Sequence, residues 1–336
     1  MKKSIKPVFC SVLLALAAVL AHKNAPAQAC TVNLLIAYTD VAADSLKGDQ
    51  SAIKQIIGAV QNLNTAYVYS AVNQQVVLVR TVRLDDVESG CFASDLNDFQ
   101  ANTFINALRD KYHADIAALV FTNKEFCGLP YLDNGVANAS TAYCAVNYKC
   151  MISSFALSHQ VAHLYGCSHY IEFSELNDAV YPYGHGYQWS FEGNGSASFS
   201  TIMGIEDDDF CGTDSTEACD VIPYFSNPNI QYQGVPLGIK GVHDNAQVLN
   251  QNANIIGSFK LLPNNQLSLT DTVNVHNIAL ATAKDTLGTG QRYMVIDSAK
   301  VIFKAGKKII LNPGFMADEG VHFETVVKDI GISCGQ

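Results

Sequence analysis

Between positions 158 and 169 the chain reads Ser-His-Gln-Val-Ala-His-Leu-Tyr-Gly-Cys-Ser-His. If Ser154 caps a helix over residues 155–165, His159 and His163 lie four residues apart and project from one face of it. Gly166 stands where that helix must stop, because a residue without Cβ readily adopts the left-handed conformation that turns the chain. The turn brings His169 back toward the other two. Three neutral imidazoles bind a zinc ion and leave a fourth tetrahedral position open, the arrangement of a catalytic rather than a structural site. One Zn²⁺ held by His159, His163 and His169 is therefore the first expectation.

The start of the chain points to export. Met1 to Lys6 is basic, an apolar stretch of about 15 residues follows, and Ala27-Gln28-Ala29 closes the segment, so residues 1–29 read as a cleaved signal peptide too short to span a bilayer. The expected location is secreted, periplasmic or cell-surface, with no membrane span. A lipid anchor on Cys30 is the alternative, although the three residues before it lack the bulky aliphatic side chain such a site calls for. Beyond residue 29 the chain holds 17 Lys and Arg against 31 Asp and Glu. That balance argues against nucleic acid or an anionic membrane surface as partner. Nine of the ten cysteines lie past the signal, which in an exported chain favours disulfides and leaves an odd thiol.

Apolar periodicity supplies the frame. Residues 32–38 suit a buried strand, and Ile53, Ile56, Ile57, Val60, Leu63 and Tyr67 mark an amphipathic helix. Residues 75–82 read as a strand, 94–112 as one helix, 115–121 as another strand, and 141–146 as an edge strand to which an extended peptide can add. This alternation predicts an α/β sandwich. After Phe259 the texture changes: residues 261–267 read as a linker, and 268–336 as a small all-β C-terminal module of short runs separated by turn residues. The tail carries no ligand-spaced cluster, so a structural or attachment role is expected of it.

Residues 159–169 resemble the long metzincin metallopeptidase motif H-E-x-x-H-x-x-G-x-x-H, with glutamine at position 160 where the motif has glutamate. The likeness extends to Ser200-Thr201-Ile202-Met203-Gly204, which matches the family's Met-turn. It also takes in residues 222–228 and 244–246, which resemble segments following that turn in bacterial reprolysin-like (M12B-like) members. The resemblance implies a twisted mixed sheet over residues 30–260, with a zinc-binding active-site helix and with Met203 packed beneath the metal. It implies endopeptidase chemistry on peptide or protein substrates. The tail is similar to the stacked-β modules ending many exported Bacteroidetes proteins.

In the family the residue after the first histidine takes a proton from metal-bound water. Gln160 has no useful proton acceptor at neutral pH, so little or no turnover is expected. The rival reading is a pseudopeptidase that binds peptide through the same cleft. Glu172, Glu206 and Asp207 are carboxylates that could rescue the missing base, and Tyr170 stands where related members often carry aspartate. The expected disulfides are Cys127 with Cys150 and Cys211 with Cys219.

Overall fold

The computed structural model describes residues 30–328, except 86–87, 124, 132–134, 172–178, 191–198, 206–219, 263–265, 271, 274–276 and 291. Its centre is β1 (Cys30–Thr39), which pairs in parallel with β2 (Gln74–Leu84) on one side and β3 (Ile116–Phe121) on the other. Next to β3 come β5 (Tyr143–Asn147), parallel to it, and then β4 (Gly128–Pro130), antiparallel. Strands buried on both faces need apolar residues throughout, and β3 is buried at all of its positions. Successive side chains of β1 point to opposite faces and so enter two different cores.

Leu34, Ile36 and Tyr38 pack with α1 (Asp40–Ser45), α2 (Asp49–Tyr69), α5 (Cys150–Ser153), α6 (Ala156–Leu164) and α7 (Asn245–Ile256). Leu35 and Ala37 face α3 (Phe92–Ala101) and α4 (Thr103–Lys111). The single helix expected over 94–112 is thus two. Asn102 breaks it, with an extended backbone and a side chain that accepts from the N–H groups of Phe104 and Ile105 to cap α4. The expected edge strand at 141–146 is internal. The shorter β4, which ends in a proline, takes the edge.

Two small hairpins, β6 (Gln188–Trp189) with β7 (Phe199–Ser200) and β8 (Asn227–Tyr232) with β9 (Val235–Leu237), lie in the segment between α6 and α7. Beyond α7 the chain winds into a parallel solenoid whose strands fall into three stacks. The first holds β10 (Gln266–Leu269), β13 (Thr286–Thr289) and β16 (Lys308–Ile310). The second holds β11 (Thr272–Val273), β14 (Met294–Val295) and β17 (Met316–Ala317). The third holds β12 (Ile278–Ala283), β15 (Lys300–Ala305) and β18 (His322–Val327).

Ile278 pairs with Lys300 and Lys300 with His322, an offset of 22 residues each time. That repeat sets the winding. The third stack also extends the central sheet, because β12 pairs antiparallel with β2 at Ala279 and Arg80, giving the order β18-β15-β12-β2-β1-β3-β5-β4. Phe303 and Val301 accordingly share a core with Leu35 and Val79.

The expected disulfide between Cys127 and Cys150 is present, tying the start of β4 to the start of α5. Cys211 and Cys219 lie outside the described residues. Cys30 is disulfide-bonded. Among the described residues no helix is long and apolar enough to cross a membrane.

Candidate metal centre

The helix that carries the first two histidines is shorter than expected and starts differently. Phe155, in the left-handed conformation at φ 54°, precedes α6, and no side chain caps it. Ser154 instead closes α5, its N–H reaching the Cys150 carbonyl. The four-residue spacing survives this change. His159 and His163 both lie within α6, and Gly166, at φ 88°, turns the chain.

The three Nε2 atoms of His159, His163 and His169 converge to 2.9–3.0 Å from one another. Two of the opposite ring nitrogens are committed elsewhere. His159 Nδ1 donates to the Ile202 carbonyl at 2.8 Å, and His163 Nδ1 donates to the Cys167 carbonyl at 3.0 Å. Those bonds place the proton on Nδ1 and leave the Nε2 lone pairs aimed at a common point. Lone pairs this close repel unless a cation lies among them. Metal–nitrogen bonds of about 2.0–2.1 Å in a tetrahedral site separate such nitrogens by roughly 3.3 Å, so the rings need to part by only a few tenths of an ångström. Among the described residues this is the one group of three His, Cys, Asp or Glu side chains placed to hold a metal ion. His159 is buried while His163 and His169 are half-buried.

Gln160 follows His159 and is 1% exposed. Its side chain lies against the backbone of edge strand β4: a Cβ built on Gly128 would stand 2.5 Å from Gln160 Cγ. Only glycine lets the strand and the side chain approach so closely. Met203 is fully buried in the 3-10 turn Ile202–Gly204, whose first carbonyl holds His159. Gly186 abuts the same turn, with its Cβ position 2.0 Å from the Met203 oxygen.

The position of His169 depends on residues to which the sequence assigned no role of their own. Ser168 N–H donates to the Gly184 carbonyl at 2.7 Å, Gly186 N–H donates to the Ser168 carbonyl at 2.9 Å, and His185 Nδ1 bonds the His169 carbonyl at 3.0 Å. The Ser226 hydroxyl in turn holds the His185 carbonyl, and Asn245 Nδ2 holds that of Gly184. Ser226 and Asn245 belong to the two segments quoted above for their likeness, and this bracing is what they do. The Gly184-His185-Gly186 triplet was the available signal, since glycines flanking a histidine mark close backbone approach. His243 is buried beside it, its ring stacked on that of Tyr170 at 5.6 Å. Burial, reinforced by His185, pushes its pKa down to about 4. Glu172, Glu206 and Asp207 lie outside the described residues.

The profile of the metallo-peptidase family M12B, reprolysin-like, matches residues 29–240. A peptidyl-Asp metalloendopeptidase of Stenotrophomonas maltophilia strain R551-3 is 31% identical over 236 residues, covering 68% of this chain and 53% of that protein. One from Xanthomonas campestris pv. campestris is 31% identical, covering 67% and 51%. One from Pseudomonas aeruginosa is 29% identical, covering 77% and 44%. The chain thus spans about half the length of the curated relatives it matches. A solved structure described as a chaperone-substrate complex shares the fold at a TM-score of 0.53 and 19% identity, over 70% of this chain and 36% of that one.

Proposed function

This chain belongs to the M12B reprolysin-like metallopeptidases, and from that premise we propose that it is an exported zinc-site protein acting on polypeptides, with Gln160 in the position of the general base. The observation that carries the reading is the convergence of three Nε2 atoms on one point, with Gln160 on the same helix turned toward the edge strand. His159, His163 and His169 would hold the ion. When bound, zinc acidifies a water and polarises a substrate carbonyl. The residues of the chain supply the rest. Strand β4 is the last of its sheet and offers main-chain groups to an extended peptide. The carbonyls of Ile202 and Cys167 keep two imidazoles in the ligating tautomer.

Gln160 can orient a water by hydrogen bonding but cannot take its proton, which removes about 10²- to 10⁴-fold of rate. The reading therefore predicts a folded metal site with little or no turnover. A pseudopeptidase that retains peptide in this cleft is the second reading, supported by the buried glutamine that follows the first of the three histidines. The peptidyl-Asp relatives make polypeptides containing aspartate the first substrates to try.

The test is Gln160→Glu at matched zinc occupancy. The substitution preserves side-chain length and supplies the missing proton acceptor, so proteolysis sensitive to a chelator should rise at least about a hundredfold. Equal proteolysis by both forms would show that another group already serves as base. Inactivity of both, with zinc bound and the domain folded, would favour the binding protein.

A further inference from the structure

A second site lies at the carboxyl ends of the central strands. Because β2 and β3 flank β1 on opposite sides, the connections leaving β1 and β2 diverge, and such a switch point opens a crevice beyond the strand ends. Here it is a cavity of about 270 Å³, reached by Thr39 at the end of β1, Leu84 at the end of β2 and Phe121 at the end of β3, and walled by α3. The volume falls just below the roughly 300–1,000 Å³ of pockets for drug-sized ligands, so it suits a fragment the size of one side chain.

Its polar wall carries one sign of charge. Glu88, Asp95 and Asp98 line it, and none of the described lining residues is basic. The Glu88 carboxylate is already committed to the Thr39 hydroxyl and to the N–H and hydroxyl of Thr122. Asp95 is not. It is 8% exposed, its Oδ1 accepts from Ser89 N–H at 2.8 Å, and its Oδ2 is buried with no donor among the described residues. A buried carboxylate oxygen left without a donor is costly, and a ligand that donates to it relieves the cost.

We propose that this cavity binds an organic cation, a primary ammonium or guanidinium on an apolar stem, with Asp95 as its partner, Asp98 at the rim, and Leu84, Phe99 and Phe121 against the stem. A bare divalent ion fits less well. Calcium needs six to eight converging oxygens, whereas among the described His, Cys, Asp and Glu side chains only the three histidines bring three ligand atoms within 4.8 Å of one another, so Glu88, Asp95 and Asp98 do not converge. The charge-assisted bond to Asp95 gives the head group its selectivity. The same chemistry is available from a basic side chain of a polypeptide or from a free small amine.

The experiment is calorimetric titration of the full, zinc-loaded chain with n-butylammonium chloride, N-acetyl-lysine N-methylamide, n-butanol and calcium chloride. One-to-one binding of at least one ammonium probe, with none of butanol, is expected. The tighter ammonium probe identifies the source, free amine or polypeptide. Asp95→Asn should weaken binding at least about tenfold, since the charge-assisted bond is lost while Oδ1 can still accept from Ser89. Asp98→Lys changes an exposed residue, so folding should be spared, and it places a competing cation at the rim, with a loss of about tenfold expected. No ammonium binding up to about 10 mM overturns the proposal, as does unchanged affinity in Asp98→Lys or in a folded Asp95→Asn protein. Saturable calcium binding that Asp95→Asn abolishes would replace it with a metal site.

Discussion

His159, His163 and His169 come from one short stretch of chain, and two of them are oriented by main-chain carbonyls; the solenoid strands pair with one another at offsets of 20 or 22 residues and join the central sheet through β12. The first arrangement concentrates function in a few side chains whose loss is local. The second spreads stability over a repeat in which β12 and β15 bury alternate residues while β18, on the last turn, is largely exposed. Damage to one region should therefore read out as lost metal, and damage to the other as lost stability.

The largest expected effect is on the metal. His159→Ala with His163→Ala leaves one of the three proposed ligands, and zinc retained by the purified protein should fall from about one ion to none. Retention of stoichiometric zinc would refute the ligand assignment and with it the contrast. Next, Phe303→Ala removes a fully buried ring that contacts Tyr293 and Phe323 in the solenoid. A loss of about 3–5 kcal/mol in denaturant melts is expected, with zinc content unchanged in the folded protein. If zinc is lost in parallel, the two regions are one cooperative unit, coupled through β1, whose alternate side chains enter the core beneath each.

A smaller change probes the join between backbone and ligand. Gly186→Ala places a methyl group against the Met203 carbonyl, so the turn must shift. The expected cost is about 1–3 kcal/mol of stability together with roughly a 10- to 100-fold loss of zinc affinity, measured by competition with a chelator. Normal affinity would show that the Met-turn is not part of the ligand support.

The smallest effect concerns acid sensitivity. The pKa of His243 falls from 6.5 to about 4 on folding, so the folded ring stays neutral while the unfolded one takes up a proton. Its contribution to stability is complete above about pH 6.5 and is lost as the pH falls toward 4. His243→Phe should make stability less dependent on pH between 7 and 5, and the ring signals of His243 should not titrate over that interval. A ring titrating near 6.5 would contradict this.

Much of the metal centre was legible because helix geometry converts spacing directly into proximity: residues four apart share a face whatever the rest of the fold does. The Cys127–Cys150 pairing was anticipated as well. Local punctuation was less legible. Ser154 looked like a cap but closes a different helix, since Phe155 takes the left-handed conformation between the two. Asn102 looked like one more polar position on a helix but breaks it and caps the next. Strand β4 was missed because three residues ending in proline carry no alternation to read. The 22-residue repeat is present in the sequence, although its short strands and intervening turns hide it unless that period is sought.

What was legible without the fold is the grouping of the three histidines, the glutamine beside the first of them, and an α/β frame followed by β structure, because each rests on patterns within a short run of chain. Tertiary structure decided that β4 rather than β5 forms the edge beside Gln160, that His185, Ser226 and Asn245 brace the backbone of His169, and that the solenoid continues the central sheet through β12. These are pairings between distant segments. They depend on which backbone groups remain unpaired once the core has formed, a balance that no local pattern of residues expresses.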